Sequence, residues 1–525
     1  MTTPRLIDGN TLTLQDVIDV ARHASRRSVV LSDEARERMA ASRACVDRVV
    51  ATGQPTVYGI NTGFGIFADR HIPIDQADRL SRNLIISHAI GIGEPFPEEV
   101  VRAAMLIRAN TLAIGHSGIR PETVQTLIDM LNAGVHPVVP SQGSLGASGD
   151  LAPLSHLALV LSRDADDDAL CSGEAIYHGE RLPGHVAMQR AGIERRVLGA
   201  KEALALNNGA TFCAAIAALA IVDAENLLEH GIIALAMTLE AQRGVSRAFD
   251  DRLHRARRQI GQREVAARVR ELIADSTLID ATDRVQDAYS LRAAPQVLGA
   301  VQDSLAHVRS IVERELNAAT DNPLIFLDFP DENKALSGGN FHGEPLGLAL
   351  NFVSIAAAEI ASISERRIAR LLDEATSDGL PAMLAEHGGL DSGLMMTQYT
   401  AASLVSENKT LAHPDVVDSI PTSANQEDFN PMAMGAARHA RQIVAHGEQV
   451  VALELLAAAQ ALDLRLRADA SVRLGQGTQQ AHQIIRREVS FLERDRLIMD
   501  DARRMVALVQ RRGLAGVLGS TGDEG

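Results

Sequence analysis

The chain has no tryptophan, four tyrosines and three cysteines among 525 residues, and each scarcity closes off a class of protein. Cys45, Cys171 and Cys213 are too few and too dispersed for a disulfide framework or a cysteine-based zinc site. They are expected to be packing residues in reducing surroundings. A basic surplus is also missing. The formal net charge is -16 and the arginines are scattered among acids, which excludes the basic patches that nucleic acid or an anionic membrane demands. The opening Met-Thr-Thr-Pro-Arg-Leu-Ile-Asp lacks the basic start and apolar core of a signal peptide, so the expected compartment is the cytoplasm. Aromatics make up 3% and hydrophobic residues 46%. The apolar content is therefore mainly Ala, Leu, Val and Ile, which favours helices packed through small and branched side chains.

A chain of this length exceeds one simple core. Residues 1–198 carry short periodic segments broken by Gly and Pro, and read as a compact, loop-rich domain. Residues 199–525 carry long helical stretches over 210–242, 294–318, 345–372, 395–411 and 433–466, which suit an extended bundle. Residues 203–222 hold no charge and approach the length of a membrane span. Asn207, Asn208 and Gly209 lie inside that run and no second comparable span is visible, so it reads as one buried core helix. Residues 513–525 read as a frayed tail.

The most informative stretch is Gly143-Ser-Leu-Gly-Ala-Ser-Gly-Asp-Leu-Ala-Pro-Leu-Ser-His156. Gly149 has no Cβ, so its nitrogen can approach the carbonyl carbon of Ala147 through a strained turn. Closure there makes a five-membered ring around Ser148, and loss of two waters leaves an exocyclic methylene, an acceptor for an amine. Asp150 is placed to cap the following helix, with Pro153 in its first turn. The positive end of that helix would favour electron flow into the ring. A phosphate cradle is excluded by the absence of a following Gly-Lys-Ser/Thr and by the charge of Asp150.

With its neighbours, this run resembles the ammonia-lyases that build 4-methylidene-imidazol-5-one (MIO) from Ala-Ser-Gly. The resemblance runs through Leu12-Thr13-Leu14, Tyr58-Gly-Ile-Asn-Thr-Gly-Phe-Gly65, Asn83-Leu-Ile-Ile-Ser-His-Ala-Ile-Gly91, Lys201-Glu202 and Asn208-Gly209. It continues through Val285-Gln-Asp-Ala-Tyr-Ser-Leu-Arg292, Ser337-Gly-Gly-Asn-Phe-His342, Ser406-Glu-Asn-Lys409 and Ser423-Ala-Asn-Gln-Glu-Asp428. Ser87-His88 and Gln426-Glu427-Asp428 most resemble the histidine-specific branch. The resemblance implies an all-α fold of the ammonia-lyase/fumarase type, an MIO formed from Ala147, Ser148 and Gly149 with no external cofactor, and a homotetramer with shared active sites.

It also implies roles for particular residues. Tyr58 is the base that takes the β-proton, and Tyr289 contacts the reacting centre or the ring. Gln286 supplies hydrogen bonds nearby. Arg292, three residues after Tyr289 and so on the same side of a helical turn, grips the substrate carboxylate with its planar fork. Asn208, placed mid-helix, bonds the carboxylate or supports the ring, and Phe341 packs against the ring. His88 and Glu427 together suit both nitrogens of an imidazole, which points to L-histidine and release of urocanate.

The chain departs from the histidine branch at Asn207-Asn208-Gly209-Ala210-Thr211, at Arg292-Ala293-Ala294-Pro295-Gln296 and at Phe429-Asn430-Pro431. These changes alter pocket volume and polarity while leaving electrophile, base and carboxylate grip in place. Three alternatives stay open at this point. One is a lyase or 2,3-aminomutase acting on another aromatic or modified amino acid, one a helical scaffold that never matures, and one a fumarase-type lyase without a built-in electrophile.

Overall fold

The computed structural model describes residues 4–23, 28–330 and 334–517. Over these it is built from α-helices, with strands of only two to four residues, so the all-α class that the resemblance implies is observed. The five helices predicted within residues 199–525 lie at Thr211–Ala241, Ala294–Glu315, Glu344–Leu372, Met395–Leu411 and Ala433–Ala468. Each matches its predicted extent to within a few residues.

The chain divides into two compact units, each discontinuous in sequence. The first comprises Met1–Leu219, Arg309–Leu350 and Pro414–Arg438, and the second Ala220–Val308, Asn351–His413 and His439–Gly525. In the first unit, Arg5–Ile7 pairs in parallel with Val29–Leu31. An antiparallel three-stranded sheet joins His136–Pro137, Glu174–Tyr177 and Glu180–Pro183. The core of this unit contains the helix Glu98–Ala113, in which every residue from Val100 onward is buried. The helices Ala77–His88, Leu151–Leu161 and Glu202–Asn207 pack against one another. That triangle sets His88, the end of the Ala-Ser-Gly run and Asn208 near a common point.

Four expectations need correction. Residues 203–222 are two helices, because the first ends at Asn207 and the next begins at Thr211. Gly209 sits between them at φ +134, and a Cβ there would strike Thr320 Oγ1 at 2.6 Å and Arg108 Nη1 at 2.7 Å, so the break is built on glycine. A second helix long and apolar enough to cross a membrane does exist, at Glu344–Leu372; its apolar window is 61% buried, against 89% for Thr211–Ala241. Both are core helices by burial. Cys171 is exposed and lies in a turn, whereas Cys213 is buried. The tail is ordered further than expected. Leu514 is fully buried and the Gly513 N–H donates to the Leu508 carbonyl at 2.8 Å, while residues 518–525 lie outside the described residues.

The second unit holds a buried charge cluster. Arg367 donates to both carboxylate oxygens of Glu454, at 2.5 and 2.6 Å, and Glu454 also accepts from the hydroxyls of Thr238 at 2.8 Å and Ser364 at 2.6 Å. Both charged side chains are fully buried. Removing one partner strands the other charge in a dry core, so Glu454→Ala is expected to cost about 3–5 kcal/mol. The check is the urea midpoint at constant protein concentration, which should fall clearly below that of the parent chain.

Candidate active site

A cavity of about 1070 Å³ opens in the first unit. Tyr58, His88, Ala147, Ser148, Asn208, Phe341 and Glu427 all line it. They come from segments far apart in sequence, and each is held locally by its own device.

Tyr58 lies in a turn pinned by side chains. Asn61 Oδ1 accepts from the Val57 N–H at 2.7 Å, its amide donates to the carbonyls of Gly53 and Pro55, and Thr62 Oγ1 accepts from the Gly59 N–H at 3.1 Å. These bonds explain the Asn-Thr of the motif. The phenol oxygen accepts from the Gly65 N–H at 3.2 Å, and the ring meets Phe64 edge-on at 6.5 Å.

Ala147-Ser148-Gly149 forms a tight turn in which Gly146 and Gly149 pair as an isolated bridge. Gly149 is at φ +74, and a Cβ on it would lie 2.1 Å from the carbonyl carbon of Gly209. Only glycine fits there. The Ser148 carbonyl accepts from Asn208 Nδ2 at 2.7 Å and from the Gly209 N–H at 3.4 Å. Arg108, fully buried, donates to the carbonyls of Ala205 and Asn208, the latter at 2.7 Å, and so fixes the peptide that carries the Gly209 N–H. Burial lowers its guanidinium to about 10. A charged residue within the apolar run of the helix Glu98–Ala113 is the sequence signal for this support.

Asp150 occupies the N-cap position of Leu151–Leu161 but makes no side-chain bond to that helix, contrary to expectation. Its carboxylate instead accepts from the Cys213 N–H at 2.8 Å, in the first turn of Thr211–Ala241, and from Ser144 Oγ at 2.9 Å. It caps the neighbouring helix. Burial raises its pKa, and the Cys213 N–H and the Ser144 hydroxyl oppose that rise.

His88 ends the helix Ala77–His88, with Nδ1 3.0 Å from Ser87 Oγ. Burial holds its imidazole below the ordinary histidine value, against the raising effect of the Glu427 charge. One Glu427 oxygen accepts from the Ser148 hydroxyl at 2.6 Å and the other from the Thr422 hydroxyl at 2.7 Å. Thr422 had not been singled out from sequence. Buried Asn430 donates to the carbonyl of Ile420 at 2.5 Å and to Thr422 Oγ1 at 3.2 Å, so the departure at Phe429-Asn430-Pro431 anchors this loop. Phe429 is on the cavity wall, its ring stacked near His342 at 6.5 Å.

Gln286, Tyr289 and Arg292 are not among the cavity-lining residues. They belong to the second unit. Tyr289 is 71% exposed, and the Arg292 guanidinium lies 4.5 Å from the centre of its ring, on one side of a helical turn as the spacing predicts.

The residues present fit the ring-forming chemistry. In the product of cyclisation the Ser148 carbonyl is the one that stays on the ring, and it is the carbonyl held by two donors. An oxyanion-hole donor of this kind contributes about 10²–10³ in kcat. Asn208→Ala is therefore expected to lower kcat by about a hundredfold with KM little changed. The measurement uses protein whose intact mass shows ring formation, so that loss of maturation is not mistaken for loss of turnover.

Residues 12–487 match the profile of the aromatic amino acid lyases. A histidine ammonia-lyase of Alkaliphilus oremlandii is 51% identical over 506 residues, covering 96% of each chain. Among solved structures, the histidine ammonia-lyase of Trypanosoma cruzi superposes with a TM-score of 0.89 at 39% identity, over 98% of this chain and 95% of that one. A tyrosine aminomutase of Streptomyces globisporus gives 0.89 at 33% identity over the whole of both chains. With the family profile spanning nearly its whole length and the fold shared throughout, this chain belongs to the aromatic amino acid lyase family, the carbon–nitrogen lyases.

Proposed function

We propose that this chain eliminates ammonia from L-histidine to give urocanate, through an MIO that it forms from Ala147, Ser148 and Gly149 without an external cofactor. The observation that carries the reaction class is the tight Ala-Ser-Gly turn on the cavity wall, with the Ser148 carbonyl held by Asn208 and Gly209. When formed, the group supplies an electrophilic methylene that takes the substrate amine and makes ammonia a better leaving group. Asn208 and the Gly209 N–H stabilise negative charge on the Ser148 oxygen. Tyr58 takes the β-proton, and Phe341 packs against the ring.

His88 and Glu427, both on the cavity wall, support histidine as the substrate. A neutral imidazole and a carboxylate can meet both nitrogens of the substrate ring, and burial keeps His88 neutral to lower pH than usual. Gln286, Tyr289 and Arg292 are assigned to a neighbouring chain of a cytoplasmic homotetramer, where Arg292 binds the substrate carboxylate. Phe429 favours a second reading. Its apolar ring on the wall suits another aromatic amino acid, handled by a lyase or a 2,3-aminomutase.

Incubation of the purified protein with a panel of amino acids separates the two. Urocanate and ammonia from histidine are the expected products. A β-amino acid, or an acrylate from another substrate in preference to histidine, overturns the assignment.

A further inference from the structure

The Ser148 hydroxyl is bonded to Glu427, and the substrate role of that residue leaves this bond unexplained. The hydroxyl donates to Glu427 Oε1 at 2.6 Å, while Thr422 holds Oε2 at 2.7 Å and Asn430 holds Thr422. The carboxyl group is thus aimed, by a fixed chain of bonds, at an oxygen that must leave the protein when the ring forms.

The atoms lost in cyclisation can be counted. A bond forms from the Gly149 nitrogen to the Ala147 carbonyl carbon, and the first water carries away the Ala147 oxygen with the hydrogens of the Gly149 and Ser148 nitrogens, leaving a C=N bond. The second water carries away the Ser148 hydroxyl and the Ser148 α-hydrogen. In that step the Cβ–Oγ bond breaks and a Cα=Cβ bond forms. Hydroxide is a poor leaving group, so the step needs a proton at Oγ as the bond breaks.

Building on the reading of residues 147–149 as the ring-forming tripeptide, we infer that Glu427 is the acid–base residue of the chain's own maturation. Its carboxylate, whose two oxygens both accept hydroxyl hydrogen bonds, takes up through cavity water the proton released from Ser148 Cα, and the acid so formed gives a proton to Ser148 Oγ as the Cβ–Oγ bond breaks. Bonds and charges balance with no oxidant or other reagent. Glu427 therefore acts once on the protein itself before it meets any substrate.

The test follows the intact mass of the full-length chain with time after synthesis. The parent chain should become lighter by two waters. If it retains both, the reading of residues 147–149 fails, and with it the ground for this inference. Given a parent that matures, Glu427→Gln should lose the first water and lose the second about a hundredfold more slowly or worse. Loss of both at the parental rate by a helical Glu427→Gln chain overturns the role of Glu427 alone.

Two further variants exclude a merely structural effect. A thiol is more acidic than an alcohol and leaves with less need of a proton, so in a Ser148→Cys background the Glu427→Gln change should have little effect on loss of hydrogen sulfide. An equal slowing in both backgrounds overturns the inference. Should Glu427→Gln not fold, Thr422→Val keeps the carboxyl group but frees one of its oxygens. It should slow the second loss severalfold, and a parental time course counts against the proposal.

Discussion

Ser148→Ala is expected to abolish turnover, with kcat/KM falling on the order of 10⁴-fold or more, as when the nucleophile of a covalent catalyst is removed. The size of the effect follows from what the alanine chain cannot do. Without the hydroxyl there is no second water to lose and no exocyclic methylene to form, so the α-amino group would have to leave as unassisted ammonia. The change removes one oxygen on the cavity wall and one hydrogen bond to Glu427, and the Asn208 bond to the residue 148 carbonyl involves only main chain on that side. The fold should therefore survive, with circular dichroism reporting a helical chain and intact mass a chain at most one water lighter than its own sequence. Turnover near the parental rate would instead point to a lyase of the fumarase type, with all of its chemistry in acid–base groups.

Much of this fold was legible because its helices are long and apolar on a regular period. Met395–Leu411 was bounded to the residue, and the other long helices to within a few. The site was legible through motifs whose members are chemically unusual where they stand, such as Ala147-Ser148-Gly149 and Tyr58. What stayed hidden is what a linear string does not encode. Asn208 reads as a polar residue inside an apolar helix, yet tertiary contact with Gly149 breaks that helix and turns its amide toward the Ser148 carbonyl. Asp150 has the position of a cap for one helix and the hydrogen bonds of a cap for another, because its carboxylate is drawn to the nearest unpaired N–H groups wherever they lie in sequence. Thr422 gave no signal, since a threonine between Pro421 and Ser423 looks like any turn residue until Glu427 folds back onto it. Sequence likewise placed Gln286, Tyr289 and Arg292 with the others by motif alone, and they are absent from the cavity wall within one chain.

Tyr58→Phe is expected to lower kcat by about 10²–10⁴, the usual worth of a positioned general base, while KM changes by no more than a fewfold. The turn that carries residue 58 is held by the side chains of Asn61 and Thr62 and by backbone bonds, none of which uses the phenol oxygen. The ring keeps its edge-on contact with Phe64. Only the Gly65 N–H loses a partner, at a cost of about 1 kcal/mol in a half-buried position, so the pocket should keep its shape and its affinity. Loss of the base should then make removal of the β-proton more fully rate-limiting, and substrate deuterated at the β-carbon should show a larger isotope effect in the variant than in the parent. A phenylalanine variant that turns over within a fewfold of the parent, with an unchanged isotope effect, would move the role of base from Tyr58 to another group on the cavity wall. His88 would be the next candidate, since burial keeps its imidazole neutral and its Nδ1 is already engaged by Ser87.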